Sequence, residues 1–160
     1  MKKLYLLGIS CFIFTLTGCG KKEEKKPGFE YQRTKEETPK KKEVAKTPVD
    51  LNNKGIGPIK ELTFDEAIDQ EMAAKGGAAF TQKCTQCHLA NQRLIGPPVA
   101  GVYERRSPEW VMNLMLNPEE MLKKDPIAKA LMAEYNNAIM TNQNLTQEEA
   151  REIAEYLRTL

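Results

Sequence analysis

Histidine, cysteine and aromatic residues are scarce in this chain of 160 residues, which has one histidine and four cysteines. A single histidine excludes mechanisms that need two imidazoles, such as His-rich zinc sites and histidine relays. Aromatic residues make up only 7% of the chain, so a large β-rich core is not expected. The length suits one ordinary domain with tails.

Charge is unevenly distributed, although the formal net charge is only +2. Residues 1–20 contain two lysines and no other charged residue, and residues 21–50 contain ten basic and seven acidic residues. Residues 51–160 contain twelve basic and fifteen acidic residues, so the part with a folding pattern is acidic. Nucleic-acid binding needs a basic face on the folded part, so this class of partner is excluded.

The N-terminus has the form of an export signal. Lys2 and Lys3 precede an apolar run of fourteen residues, LYLLGISCFIFTLT, which is too short to span a bilayer comfortably. The run ends in the sequence LTGC, which resembles the bacterial lipobox. We therefore predict a lipoprotein signal peptide over residues 1–18 and lipid on the sulfur of Cys19, with Cys11 removed in the leader. The alternative is an ordinary signal peptide with an incidental cysteine.

The segment after the signal has no periodic apolar pattern. From Lys21 to about Pro58 it is rich in charge and proline, so burial cannot offset the entropy of ordering it. We predict a lipidated cysteine and flexible charged tether over residues 19–60, followed by a folded domain over residues 61–160. The sequence leaves open whether residues 51–60 pack loosely on that domain.

The strongest chemical signal is the string Cys84-Thr85-Gln86-Cys87-His88. Two cysteines three positions apart on a turn reach the two vinyl groups of a haem, and the adjacent histidine is then held under the iron. The pattern C-x-x-C-H is therefore typical of c-type haem attachment. It predicts one covalent haem c, bound through Cys84 and Cys87, with His88 as the proximal ligand.

Three other interpretations of this string are weaker. A thioredoxin-like redox pair needs neighbouring strands, and no strand pattern surrounds the motif. A zinc site needs four ligands as a rule, and the chain has no second C-x-x-C. A disulfide between Cys84 and Cys87 would close a tight, strained loop.

The chain from about residue 65 to residue 160 resembles a class I monohaem cytochrome c. Beyond the haem motif, Gly76-x-x-x-Phe80-x-x-x-Cys84 is similar to the family's N-terminal helix. The last helix begins with a capping box, Thr146 with Glu149, and carries an apolar stripe. The stripe consists of Ala150, Ile153, Ala154 and Leu157. The resemblance implies an all-α fold of about four to five helices around one covalent haem, preceded by the disordered tether. It also implies that the first and last helices cross near Tyr156.

The stretch GPPVAGVYER at residues 96–105 is similar to the family's loop after the haem motif. By this resemblance, the Pro97 carbonyl accepts the Nδ1 proton of His88, and Arg105 lies near a haem propionate. Trp110 is the only tryptophan, and it either donates its indole N–H to a propionate or belongs to the core.

Met140 is the predicted sixth ligand of the iron. The string MTNQNLT from residue 140 is similar to the family's M-P-x-x-x-L-[ST] pattern, with threonine in place of proline. It lies on a loop before the last helix, from which the chain can reach the open face of the haem. Met121 is the reserve candidate. The methionines inside predicted helices are worse placed, namely Met112, Met115 and Met132.

Ligation by His88 and Met140 fills both axial positions and raises the haem potential, so we predict an electron carrier and not an enzyme. Redox donors and acceptors of the respiratory chain are the expected partners, together with a membrane reached through the lipid anchor; no small-molecule substrate is expected. The domain would lie in the cell envelope, in the periplasm or otherwise outside the cytoplasmic membrane. One alternative is a haem-bearing subunit of a terminal oxidase or nitrogen-oxide reductase. A haem enzyme or gas sensor would need a distal acid–base residue, and the chain has no second histidine.

The residues flanking Met140 carry no charge from residue 136 to residue 144. We therefore predict docking to redox partners through a neutral surface, with rates that vary little with ionic strength.

Overall fold

The computed structural model describes residues 46–160. The predicted signal peptide, Cys11, Cys19 and the tether up to residue 45 lie outside the described residues. Five α-helices account for the regular structure of the described part, as the resemblance predicted. They are α1 (Gln70–Lys83), α2 (Pro108–Leu116), α3 (Pro118–Lys124), α4 (Pro126–Glu134) and α5 (Gln147–Leu157), with a short 3₁₀ turn over Val102–Glu104 between α1 and α2. The only strand-like pairing in this part is an isolated bridge between Asp50 and Arg106.

Side-chain caps fix where most of these helices begin. The Asp69 carboxylate accepts from the N–H of Met72 at the start of α1, and the Ser107 hydroxyl accepts from that of Trp110 at the start of α2. Asp125 caps α4 in the same way. In α5 the predicted capping box of Thr146 and Glu149 is present with both reciprocal bonds. Proline occupies the first turn of α2, α3 and α4, where its missing N–H costs nothing.

Helices α1 and α5 cross at close range, as predicted. A Cβ on Gly76 would overlap the backbone carbonyl of Glu152, so only glycine permits this approach. Beside the crossing, the rings of Phe80 and Tyr156 lie with their centroids 5.4 Å apart. The predicted apolar stripe of α5 is buried against the core, namely Ala150, Ile153, Ala154 and Leu157.

The start of the described chain corrects the predicted tether. Residues 46–62, here called the strap, lie along α2, α3 and α4 and are not free chain. The Asn113 side chain donates to the carbonyls of Lys54 and Ile59 and accepts from the N–H of Ile59. Thr47 donates to the Glu134 carboxylate through its N–H, at 2.8 Å, and its hydroxyl, at 2.6 Å. Polar groups anchor most of the strap, so its sequence has no periodic apolar pattern. Its composition therefore indicated disorder.

In residues 46–160, none of the helices has the length and apolar content needed to cross a membrane.

Candidate functional site

A cavity with two connected lobes lies between α1, α2, α4 and the loop before α5. The outer lobe has a volume of about 800 Å³ and the inner lobe about 720 Å³, each including some space open to solvent. Exposed side chains line only the outer lobe. The residues common to both lobes are Cys84, His88, Pro97, Leu114, Leu131 and Met140. Four of the predicted haem-site residues, Cys84, His88, Pro97 and Met140, therefore line both lobes.

The imidazole of His88 is held from two directions. Its Nδ1 lies 2.9 Å from the Pro97 carbonyl oxygen, the partner that the sequence predicted. A carbonyl can only accept, so Nδ1 carries the proton and the lone pair of Nε2 is free for a metal. A Cβ on Gly96 would overlap the imidazole, so glycine is required for the ring to occupy this position.

The two motif cysteines lie on a turn that ends α1. The carbonyl of Cys84 accepts from the N–H of Cys87 at 3.0 Å and from that of His88 at 2.9 Å, which folds the five-residue motif back on itself. Both cysteines are free thiols that line the outer lobe. Burial raises the pKa of Cys84, while Cys87 is exposed. The turn thus presents two thiols and an imidazole to one cavity.

Met140 reaches the same cavity from a loop of unusual backbone. Asn136, Asn137 and Asn144 all have left-handed φ values, of 58°, 59° and 52°. Asparagine tolerates this conformation better than other non-glycine residues. Where the family pattern has proline, the hydroxyl and carbonyl of Thr141 both accept from the Gln143 amide. Hydrogen bonds between residues close in sequence therefore help to fix the conformation of this loop.

The other methionines are less suitably placed to act as the sixth ligand of the iron. Met121, the reserve candidate, is 0% exposed and lies in the core, where its sulfur accepts from the N–H of Ile56. Met115 lines only the inner lobe and Met132 only the outer lobe. Met140 is the methionine that lines both.

Arg105 and Trp110 both line the inner lobe, and each also donates hydrogen bonds to other residues of the chain. The terminal nitrogens of Arg105 donate to the carbonyls of Pro98, Ala100 and Gly101 at 3.1–3.2 Å. The indole N–H of Trp110 donates to Asp125 at 3.1 Å. Trp110 is 2% exposed and bonded to Asp125, which is the arrangement that the core alternative describes, and the propionate bond stays a prediction.

Arg106 is the site residue that sequence reasoning missed. It lies next to Arg105, lines the inner lobe and is 5% exposed. The sequence has two adjacent arginines after an aromatic residue, but the family pattern includes only the first of them, Arg105. Asp125 was missed as well, although its position before a proline is typical of a helix cap.

The donor set fits a covalently held haem. An imidazole nitrogen and a thioether sulfur are available to one largely apolar cavity, and two thiols lie at its rim. This is the combination that c-type haem uses for attachment and axial ligation. Among residues 46–160, no group of three or more His, Cys, Asp and Glu side chains is arranged to hold a metal ion by itself.

Comparisons with known proteins agree with this chemistry. The profile of the family described as Cytochrome c matches residues 73–160, more than half of the chain. A solved cytochrome c from Rhodothermus marinus is 43% identical with a TM-score of 0.62, covering 64% of this chain and 88% of that chain. An engineered cytochrome c from the same organism, Rma TDE, is 42% identical with a TM-score of 0.62, covering 64% and 89%. The same engineered protein bound to a carbene intermediate has a TM-score of 0.60 at 42% identity, covering 64% and 88%. No curated protein matches the chain.

Proposed function

The chain belongs to the cytochrome c family, and from this premise we propose that it is a lipid-anchored carrier of single electrons with His88 and Met140 as axial ligands. The predicted class I monohaem resemblance is confirmed, and haem-based electron transfer is the activity that the family implies. Its cofactor is one covalent c-type haem, held through Cys84 and Cys87. When bound, this group supplies a one-electron couple at iron.

The observation that carries the proposal is the position of Met140 and His88 on one cavity, each lining both lobes. A nitrogen ligand and a thioether ligand would then hold the two axial positions, which leaves no open coordination site for a substrate or gas. This supports a carrier and argues against a haem enzyme or sensor.

The protein's own residues would keep the ligand geometry constant between the two oxidation states. The bond from His88 Nδ1 to Pro97 fixes the plane of the imidazole, and the close packing of Gly96 prevents the ring from sliding. Apolar side chains around the ligands exclude water, which limits the solvent reorganisation that electron exchange requires. A constant ligand geometry in a largely apolar cavity would be suited to fast exchange.

The anchor is the part of the proposal that rests on sequence alone. Lipid on Cys19 would attach the domain to a membrane outside the cytoplasm, within reach of respiratory donors and acceptors. The charged segment that follows Cys19 would link this lipid to the domain. We expect a Cys19→Ser chain to leave the membrane fraction while keeping its haem; membrane retention of this variant would refute the anchor.

A paired substitution tests the ligand assignment. Met140→Ala should keep the covalent haem but lose the methionine-to-iron absorption band of the oxidised protein, and its reduced form should bind carbon monoxide. Met121→Ala should keep that band and lose about 2–5 kcal/mol of unfolding free energy, because a buried side chain is deleted. The measurements are absorption spectra, carbon monoxide titration and denaturant unfolding.

Should Met121→Ala fail to fold, Met121→Leu preserves the volume and should cost under about 1.5 kcal/mol. The assignment would be wrong if the band survived in Met140→Ala and disappeared in Met121→Leu.

A further inference from the structure

The loop between α4 and α5, here called the methionine loop, covers residues 135–146 and carries Met140. Among residues 46–160, the hydrogen bonds made by residues 138–144 all lie within this loop. Its hydrogen bonds to other segments are therefore confined to its two ends. The capping box of α5 fixes one end, so the other end, at Glu134 and Tyr135, is the second point of support.

The strap holds this second point through Glu134, the last residue of α4. The Glu134 carboxylate accepts from the N–H of Thr47 at 2.8 Å and from its hydroxyl at 2.6 Å. Burial opposes ionisation of this carboxyl, but the bonds from Thr47 and the charges of Arg93 and Lys46 lower its pKa below the ordinary value. The carboxylate is thus charged at neutral pH, and hydrogen bonds to a charged group are stronger than those to a neutral one.

Arg93 holds the same point from a third segment. Its guanidinium donates to the carbonyl of Glu134 at 2.9 Å and lies over the Tyr135 ring, 4.2 Å from the ring centre. A cation in this position is attracted by the aromatic face even at an exposed site. Arg93 belongs to the loop that continues from the haem motif to Pro97, the partner of His88. It therefore connects the loop that fixes one predicted ligand to the loop that carries the other.

The supported point is close to the ligand along the chain. Tyr135 and Met140 both line the outer lobe, and only four residues separate them. The turn between them is tight, because the N–H of Asn137 donates to the Met132 carbonyl at 2.8 Å and that of Ala138 donates to the Tyr135 carbonyl at 3.0 Å. A displacement of Tyr135 would therefore move Met140 as well.

We propose that Thr47 and Arg93 are positioning residues for Met140: they hold the start of the methionine loop in place and limit how often the sulfur leaves the iron. This inference rests on the proposed function, in which Met140 is an axial ligand. The family profile matches residues 73–160, so Thr47 supports the ligand from outside the matched part of the chain. The strap thus contributes to the ligand site through its first residues.

Displacement of Met140 by imidazole in the oxidised, haem-loaded chain tests this role. The bond from iron to the Met140 sulfur breaks and one from iron to an imidazole nitrogen forms, with no change in oxidation state. Thr47→Val keeps the side-chain shape but loses the hydroxyl bond, and we expect imidazole to bind about fivefold more tightly. Arg93→Gln loses the contact with Tyr135, and we expect about threefold tighter binding. The limiting rate at high imidazole concentration reports how fast the sulfur leaves and should rise in both variants.

Conservative and matched variants separate positioning from general stability. Thr47→Ser keeps the hydroxyl and should bind imidazole within about twofold of the unaltered chain. Arg151→Gln is the matched control for Arg93→Gln. Arg151 also lies over an aromatic ring, that of Phe64, and it bonds to Glu155, but it lines neither lobe. This control should lower the unfolding free energy while changing the imidazole affinity by less than about twofold.

An unchanged imidazole affinity in either Thr47→Val or Arg93→Gln would overturn the proposal, as would an equal rise in Arg151→Gln and Arg93→Gln. If Met140→Ala kept the methionine-to-iron band, the ligand assignment and this inference would both fail. If Met140→Ala lost the band while those imidazole results were obtained, only the role of Thr47 and Arg93 would be refuted.

Discussion

The two lobes of the cavity differ most in charge and exposure. The outer lobe is lined by one charged residue, Lys83, whose ammonium lies 3.6 Å from the Glu149 carboxylate. Two large apolar side chains stand exposed at its rim, Ile95 at 54% and Ile139 at 71%. The inner lobe is lined by two adjacent arginines, Arg105 and Arg106, and by no exposed residue.

This difference separates two tasks within one site. A neutral rim with exposed apolar groups can meet a partner's surface without a large desolvation cost for charged groups. The inner lobe has no exposed lining residue and would instead pack against the cofactor. Contact with partners would thus fall to the rim of the outer lobe, and packing of the cofactor to both lobes.

The strap should be the most sensitive part of this arrangement. Asn113→Ala removes a fully buried amide that makes three bonds to the strap, so we expect a loss of about 3 kcal/mol in unfolding free energy. Asn142→Ala in the loop of the outer lobe removes one exposed bond, to the N–H of Asn144, and should cost under about 1 kcal/mol. Urea unfolding of both variants measures the contrast. A larger cost for Asn142→Ala would mean that the outer loop, not the strap, is the critical structure.

The rim should control encounters with partners without affecting the fold. Ile139→Glu places a charge in the neutral rim, and we expect the second-order rate of electron exchange with a respiratory partner to fall about tenfold. Its unfolding free energy should change by less than about 0.5 kcal/mol, because the residue is exposed. The matched control is Leu51→Glu, at a site that is 52% exposed on the strap. Equal rate losses in the two variants would exclude the rim as the docking surface.

The smallest expected effect is that of salt on the rate of electron exchange by the unaltered domain. Because the rim carries one paired charge, the rate of electron exchange should change less than about twofold between low and high ionic strength. The comparison is made with and without residues 20–45, since the basic tether could add a salt dependence of its own. A steep fall in rate with salt in the shortened chain would contradict the neutral rim.

The haem-site residues common to both lobes were predictable from sequence because their determinants are local. Spacing alone indicates the chemistry of the haem motif, and the Pro97 loop and the stretch around Met140 are contiguous strings whose roles the family resemblance implies. The bond between His88 and Pro97 spans only nine positions. The capping box of α5 is likewise a short-range signal.

The packing of the strap was not predictable because its contacts are long-range and polar. Asn113 bonds to a carbonyl 59 positions away, and Thr47 bonds to a carboxylate 87 positions away. Such bonds leave no hydrophobic period in the sequence, so composition indicated flexible chain where the strap packs. The bond from the Trp110 indole to Asp125, fifteen positions away, is a polar contact of the same kind and was not predicted either.

The absorption spectrum of the oxidised full-length chain tests the central claim most directly, that His88 and Met140 enclose one covalent haem that exchanges electrons. We expect one haem per chain, a methionine-to-iron band, and a reduced form that does not bind carbon monoxide readily. A haem-loaded chain that lacks this band and binds carbon monoxide readily would contradict it.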